Sequence, residues 1–303
     1  MISLEKGDEI GEYQVDRLLL TTQHSKIYGC TKKNVKDSLL NSKDYYCLKL
    51  SQNKGRMTVF NEFSICLHLN QLLLSEESNE GVLMNSSLSI GIPFVYCYGD
   101  FPSENKSNEH KTDTTSELTY FMVTEYFVQT LLQRQYLYNQ QYNSTLELTK
   151  RGLQGLKYLH HCGYIHGDVK PENIMCTRNS SEVTPQLKFI DFGLAQKIPK
   201  HDKTILKNDS FTAGTPRYAS IRVHEGHEAT CRDDVESWIY TVLFLYIGEL
   251  PWQGLKKENN IGILESKKTS MIWFAKRLPD TRIVDLLEKT WKTEFDSHPS
   301  YDV

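Results

Sequence analysis

Long apolar runs are what this sequence most plainly lacks: no uncharged apolar stretch reaches the roughly 18 residues of a membrane span. The opening residues, MISLEKGDEIGEY, carry charge where a secretory signal needs an apolar run. Neither a span nor a signal peptide is therefore expected. One-sided charge is missing too. The 35 Lys and Arg residues face 38 Asp and Glu, a formal net charge of −3, which argues against a general binder of nucleic acid or membrane surfaces. Cysteines are few and scattered: seven, an odd number, with no Cys-x-x-Cys pair. That pattern argues against a disulfide framework or a Cys-bound metal. It predicts a reduced protein inside the cell, in cytoplasm or nucleus. Internal repeats are absent.

What is present is an ordinary globular composition, 39% hydrophobic and 24% charged, over 303 residues. That length exceeds one typical domain and suits two lobes sharing one cleft. The first part reads as strands. Tyr13–Leu20, Lys26–Thr31 and Tyr45–Leu50 are short aliphatic, aromatic and β-branched runs, with polar connectors such as Lys36–Asp44. Phe60–Leu74 has near-helical apolar spacing, and Ile92–Tyr98 and Leu118–Phe127 read as two more strands. Ser75–Ser89 and Ser103–Glu117, rich in Ser, Asn, Glu and Lys, read as solvated loops. The second part reads as helices. Leu146, Leu153, Leu156 and Leu159 share a helical face, and Asp234–Gly248 is apolar nearly all round, as a buried helix would be. The predicted class is α+β: a small β-rich lobe over about 10–127 and a larger α-rich lobe over about 128–303.

Chemistry concentrates in His166-Gly167-Asp168-Val169-Lys170-Pro171-Glu172-Asn173, followed by Asp191-Phe192-Gly193. Phosphoryl transfer needs a carboxylate to orient the attacking hydroxyl, oxygen ligands for magnesium, and cations on the phosphates. Asp168 suits the first task, Asn173 and Asp191 the second. Lys170 suits the γ-phosphate, and Lys49, on a predicted strand, the α- and β-phosphates, with Glu62 on the next helix as its ion-pair partner. Each residue alone has an ordinary reading, such as a solvated lysine, a helix-surface glutamate or a turn. Their order and spacing together point to ATP and Mg2+.

These motifs resemble the protein kinase superfamily and, within it, the casein kinase 1 group. Gly214-Thr215-Pro216-Arg217-Tyr218-Ala219-Ser220-Ile221 resembles that group's replacement for the Ala-Pro-Glu triplet of most kinases. Arg232-Asp233-Asp234-Val235-Glu236-Ser237, Leu250-Pro251-Trp252-Gln253-Gly254-Leu255 and Gly91-Ile92-Pro93 are similarly close to it. So are Lys267-Lys268 and His298-Pro299-Ser300-Tyr301, whereas His166-Gly167-Asp168 is nearer the related vaccinia-related kinases. The resemblance implies the bilobal protein kinase fold and transfer of the γ-phosphate of ATP to protein Ser or Thr hydroxyls. It places Thr215 beside Asp168 and Lys170, and Asp234 beneath the catalytic loop. It makes Thr124 the guard of the adenine pocket and Glu125 to Phe127 the hinge. Cys47 and Met175 sandwich the purine, with Leu19 and Ile27 as roof. Arg217 matches a position that binds an anion beside the substrate, implying acidic or phosphate-primed substrates.

Two departures stand out. Leu20, Thr22 and Ser25 occupy the positions of the three glycines of the phosphate loop, where glycine lets backbone N–H groups approach phosphate. That favours a pseudokinase scaffold as the alternative. Gly167 replaces the arginine that answers a phosphorylated activation loop, so constitutive competence is expected. His-Gly-Asp with Asn five residues after the Asp also occurs in small-molecule kinases of the aminoglycoside or choline type. Lys170 and the Gly214–Ile221 segment speak against that alternative.

Overall fold

A computed structural model describes residues 3–22, 24–33, 45–51, 56–80, 91–102, 118–176, 186–200, 214–256 and 259–303. The chain divides into two units, residues 1–71 with 93–127, and residues 72–92 with 128–303.

The first unit is built on a six-stranded antiparallel sheet. Its strands are β1 (Glu9–Ile10), β2 (Tyr13–Thr21), β3 (Ser25–Lys32), β4 (Tyr45–Ser51), β5 (Val95–Pro102) and β6 (Leu118–Glu125), in the order β1-β2-β3-β4-β6-β5. Alternation decides which side chains enter the core. Tyr13 and Val15 of β2, Tyr28 and Cys30 of β3, Leu48 and Leu50 of β4, and Val123 of β6 form one buried cluster, each side chain contributing about 1.5–3 kcal/mol by leaving water. Register shifts in β2 after Val15 and after Leu18 break this pattern, and Leu18 and Leu20 stand half exposed.

Helix α1 (Arg56–Glu80) begins in the first unit and runs into the second. It overturns part of the loop expected over Ser75–Ser89. Ser75-Glu76-Glu77-Ser78-Asn79-Glu80 is polar but contains no Gly or Pro, and glutamate is a good helix former, so the helix continues to Glu80. The rest of that loop, the Ser103–Glu117 loop and the Lys36–Asp44 connector lie outside the described residues. Strand β5 starts later than expected because Asn70 of α1 holds the turn before it. Its Nδ2 donates to Pro93 O at 3.1 Å and its Oδ1 accepts from Val95 N at 2.8 Å.

The second unit is mainly helical: α2 (Tyr142–His161), α3 (Ile221–His224), α4 (Cys231–Ile247), α5 (Asn260–Lys268), α6 (Met271–Ala275) and α7 (Arg282–Lys292). The short strands β7 (Gln129–Thr130), β9 (Ile174–Cys176) and β10 (Leu187–Phe189) form one sheet, and β8 (Tyr164–Ile165) pairs with β11 (Gln196–Lys197). Helix α4 is the core. It starts three residues before the predicted Asp234 because Thr230 and Asp233 make a reciprocal capping box, and every side chain from Cys231 to Tyr246 is buried. Helix α2 lies close against it: a Cβ on Gly152 would sit 2.2 Å from the Trp238 ring. Among the described residues no helix is long and apolar enough to cross a membrane, and all seven cysteines are free thiols.

Candidate active site

In the first unit the strand period that buries Leu48 and Leu50 turns Cys47 and Lys49 to the opposite face of the sheet. Direct cross-strand partners share a face. Ile27 opposes Lys49, Gly29 opposes Cys47, and Thr124 opposes Cys47 from β6. Leu19 joins them, since a Cβ on Gly29 would touch its side chain at 3.8 Å. The sheet therefore gathers Leu19, Ile27, Cys47, Lys49 and Thr124 on one surface. Lys49 Nζ donates to Glu62 Oε2 of α1 at 2.5 Å, and the two side chains are only 13% and 5% exposed. A pair this far out of water is costly to break on one side, because the remaining charge is left uncompensated. Burial pushes the Cys47 thiol up to about 11 against the opposing pull of Lys49, so Cys47 lines the surface as an apolar group. The Glu125 side chain folds back onto its own unit, accepting from Phe94 N at 3.3 Å, while Glu125 N donates to Phe94 O at 3.3 Å. Phe127, half buried, follows at the end of the unit.

The β2–β3 hairpin tip shows what replaces the glycines. Thr22 Oγ1 accepts from Ser25 N at 2.9 Å and from His24 N at 3.2 Å, while Thr22 N donates to Ser25 O at 2.8 Å. Amides that a glycine loop would aim at phosphate are here occupied by a hydroxyl of the loop itself.

The second unit holds the residues expected to form the catalytic loop. Lys170 Nζ donates to Asp168 Oδ2 at 2.5 Å and to Thr215 Oγ1 at 2.9 Å. Asn173 Nδ2 donates to Asp168 O at 3.0 Å and Asp168 Oδ2 at 3.1 Å. With its amide nitrogen engaged, Asn173 keeps Oδ1 as an oxygen donor. Ile190 N donates to Asn173 O at 2.9 Å, tying Asn173 to the residue before Asp191. Asp191 adopts φ 66°, ψ 62°, a left-handed conformation uncommon outside glycine. Met175, half buried on β9, pairs with Lys188 of β10 and Thr130 of β7.

The loop is held from behind by Asp234, whose Oδ2 accepts from His166 N at 2.7 Å and whose Oδ1 accepts from Gly167 N at 2.9 Å. Burial alone would raise its carboxyl, but His160, bonded to Oδ2 at 2.9 Å, and His166 hold it below the usual range. His166 accepts from Asp168 N on Nδ1 at 3.3 Å and donates from Nε2 to Ile190 O at 3.1 Å, so its proton sits on Nε2. Gly167 has φ 77°, and a Cβ there would lie 2.9 Å from Leu194 O. The absent arginine is thus a matter of backbone geometry as well as charge.

Arg217 is exposed, its guanidinium 5.9 Å from the Phe244 ring centroid. The basic residues His201, Lys203 and Lys207 that follow Asp191-Phe192-Gly193 lie outside the described residues. Lys188 and Lys267 are both buried, which the sequence does not reveal. Lys188 donates to Ile92 O at 2.9 Å, and Lys267 of α5 donates to Pro216 O at 2.8 Å and to Ala219 O.

A family model described as the protein kinase domain matches residues 108–301, well over half the chain. The chain belongs to the protein kinase domain family. This kinase domain is 36% identical over 139 residues to a probable casein kinase I homolog of Encephalitozoon cuniculi, covering 43% of this chain and 44% of that protein. It is 37% identical over 153 residues to a casein kinase 1-like protein of Oryza sativa subsp. japonica, covering 48% of this chain and 21% of that one. The kinase domain therefore spans less than half the length of either curated relative. Among solved structures, vaccinia related kinase 3 superposes with a TM-score of 0.74 at 19% identity, covering 99% of this chain and 88% of that one. That likeness establishes the protein kinase fold, a β-sheet lobe and a helical lobe, and the curated relatives bear out the casein kinase 1 resemblance.

Proposed function

We propose that this kinase domain is an ATP-dependent serine/threonine protein kinase with a preference for acidic or phosphate-primed substrates. The observation that carries the reading is the Lys170 ammonium bridging the Asp168 carboxylate and the Thr215 hydroxyl. One cation thereby links the catalytic loop to the segment expected to meet the substrate. Asp168 orients the substrate hydroxyl and accepts its proton. Lys170 offsets charge on the transferring phosphoryl group, and Lys49, held by Glu62, steadies the α- and β-phosphates. Asn173 Oδ1 and the Asp191 carboxylate are hard oxygen donors that fit magnesium, which characteristically takes one or two protein ligands beside phosphate oxygens. Magnesium, when bound, supplies neutralisation of phosphate charge. Adenine is the ligand assigned to Leu19, Ile27, Cys47 and Thr124 on the surface of the first unit, where the backbone from Glu125 to Phe127 offers hydrogen bonds to the base, and Met175 of the second unit is assigned to the same purine. Arg217 binds an acidic or phosphorylated group on the substrate. Seven free thiols suit a reducing, intracellular setting.

The test is mass-spectrometric detection of transfer from ATP to acidic and phosphate-primed peptides, with thermal stabilisation by ATP and Mg2+ as the binding control. The reading expects both signals, and a stronger response to primed peptide that Arg217→Ala reduces. Binding without transfer to any peptide would instead leave a nucleotide-binding scaffold.

A further inference from the structure

The segment from Pro216 to Ile221 is fixed almost entirely through its backbone, and the fixing groups come from buried parts of the second unit. Pro216 O accepts from Lys267 Nζ at 2.8 Å and from His224 Nε2 at 2.9 Å. Arg217 O accepts from Trp252 Nε1 at 2.8 Å. Ala219 O accepts from Lys267 Nζ. Ser220 Oγ donates to Asp233 Oδ1 at 2.6 Å, and Ile221 N donates to Glu236 Oε1 at 2.8 Å. Lys267 alone binds two of these carbonyls, and they flank Arg217 and Tyr218.

A lysine with 0% exposure is rare, because a desolvated ammonium costs several kcal/mol unless compensated. Here the compensation is specific. Besides the two carbonyls, the ammonium lies 5.2 Å from the ring centroids of both Tyr240 and Trp252, within cation–π range. Burial pulls Lys267 well below the ordinary lysine range, and the charge of Glu236 works the other way. Among the described residues, the bonds of Lys267 go to Pro216 O and Ala219 O and not to His166–Asn173. Its whole output is the path of the backbone that carries Thr215 toward Lys170 and leaves Arg217 exposed.

We propose that Lys267 is a positioning residue for protein-substrate recognition, its ammonium clamping the carbonyls of Pro216 and Ala219 so that Thr215 and Arg217 are presented in fixed register. The role deepens the kinase reading above and rests on it. Replacement by Met keeps much of the side-chain length but leaves Ala219 O without its lysine donor. The substrate-facing segment then loosens while nucleotide contacts stay as they are.

The experiment compares the full chain with Lys267→Met. KM for a phosphate-primed peptide is expected to rise about tenfold, the cost of roughly one charged hydrogen bond, with KM for ATP within twofold of the parent. Hydrogen exchange at Tyr218 N and Ala219 N, both bonded to Thr215 O at 2.9 and 3.0 Å, is expected to accelerate by a similar factor, while α4 amides keep their protection. Equal rises in both KM values, or no change in either together with unchanged exchange, overturns the proposal. If Lys267→Met does not fold, Lys267→Gln, whose shorter amide cannot span both carbonyls, is read by the same criteria. Failure of both to fold makes Lys267 a general core residue and also overturns it. Should the parent protein transfer no phosphate, the kinase reading fails on its own, and the exchange measurement still decides whether Lys267 clamps the segment.

Discussion

Thr22 is the residue at which this kinase domain departs most from the pattern it otherwise follows. Its hydroxyl accepts from His24 N and Ser25 N, so amides that could meet phosphate are already bonded. Thr22→Gly is expected to release them and lower KM for ATP about two- to tenfold, the equivalent of a net hydrogen bond of roughly 0.5–1.5 kcal/mol. Steady-state kinetics at saturating peptide reads this directly, and an unchanged or raised KM would show that the tip does not meet the nucleotide. At Asp168 the expectation has the opposite character. Asp168→Asn keeps the acceptor for Lys170 but removes the proton-accepting carboxylate, so kcat should fall about 10²–10⁴-fold with little change in KM for ATP.

Helices α2 and α4 approach so closely at Gly152 and Trp238 that no methyl group fits between them. Gly152→Ala should therefore destabilise the second unit by about 1–3 kcal/mol through overpacking, seen as a lower midpoint in chemical denaturation. A wild-type midpoint would mean that the helices separate without cost. The same elements show what could be read from the chain beforehand. The buried helix α4 was legible because its apolar run has no polar face, and Cys47, Lys49 and Thr124 fall on one sheet surface because strand alternation is strict. The early start of α4 depended on a reciprocal cap between Thr230 and Asp233, which spacing alone states weakly. The full length of α1 is hard to read from the chain because a polar run resembles a loop even where no helix breaker stands. Lys267, although the Lys267-Lys268 pair takes part in the family resemblance, gives no sign of its burial in the sequence. A lysine near the end of a polar helix looks solvated, and only tertiary packing reveals that it is buried against two aromatic rings and two carbonyls.

At the scale of the whole molecule, stability should carry a pH signature from His224. Burial, with the charge of Lys267 adding to it, lowers this imidazole from 6.5 to about 4, against the pull of its bond to Pro216 O. The unfolded chain takes up a proton below about 6.5 and the folded chain only below about 4. The stabilising contribution is thus fully present above pH 6.5 and is lost as pH falls through that window, by at most about 3 kcal/mol. His224→Gln, which can still donate to Pro216 O, should flatten the slope of unfolding free energy between pH 6.5 and 4. An unaltered slope would assign the acid sensitivity to other groups.

The account stands on phosphate moving from ATP to a protein hydroxyl through Asp168. The most direct measurement is transfer of radiolabelled γ-phosphate to a primed peptide by the parent protein and by Asp168→Asn, at equal ATP and Mg2+ saturation, followed by identification of the labelled amino acid. The account predicts phosphoserine or phosphothreonine from the parent, and label reduced by two orders of magnitude or more in Asp168→Asn. Equal labelling by the two proteins, or none from a parent that demonstrably binds ATP and Mg2+, would contradict it.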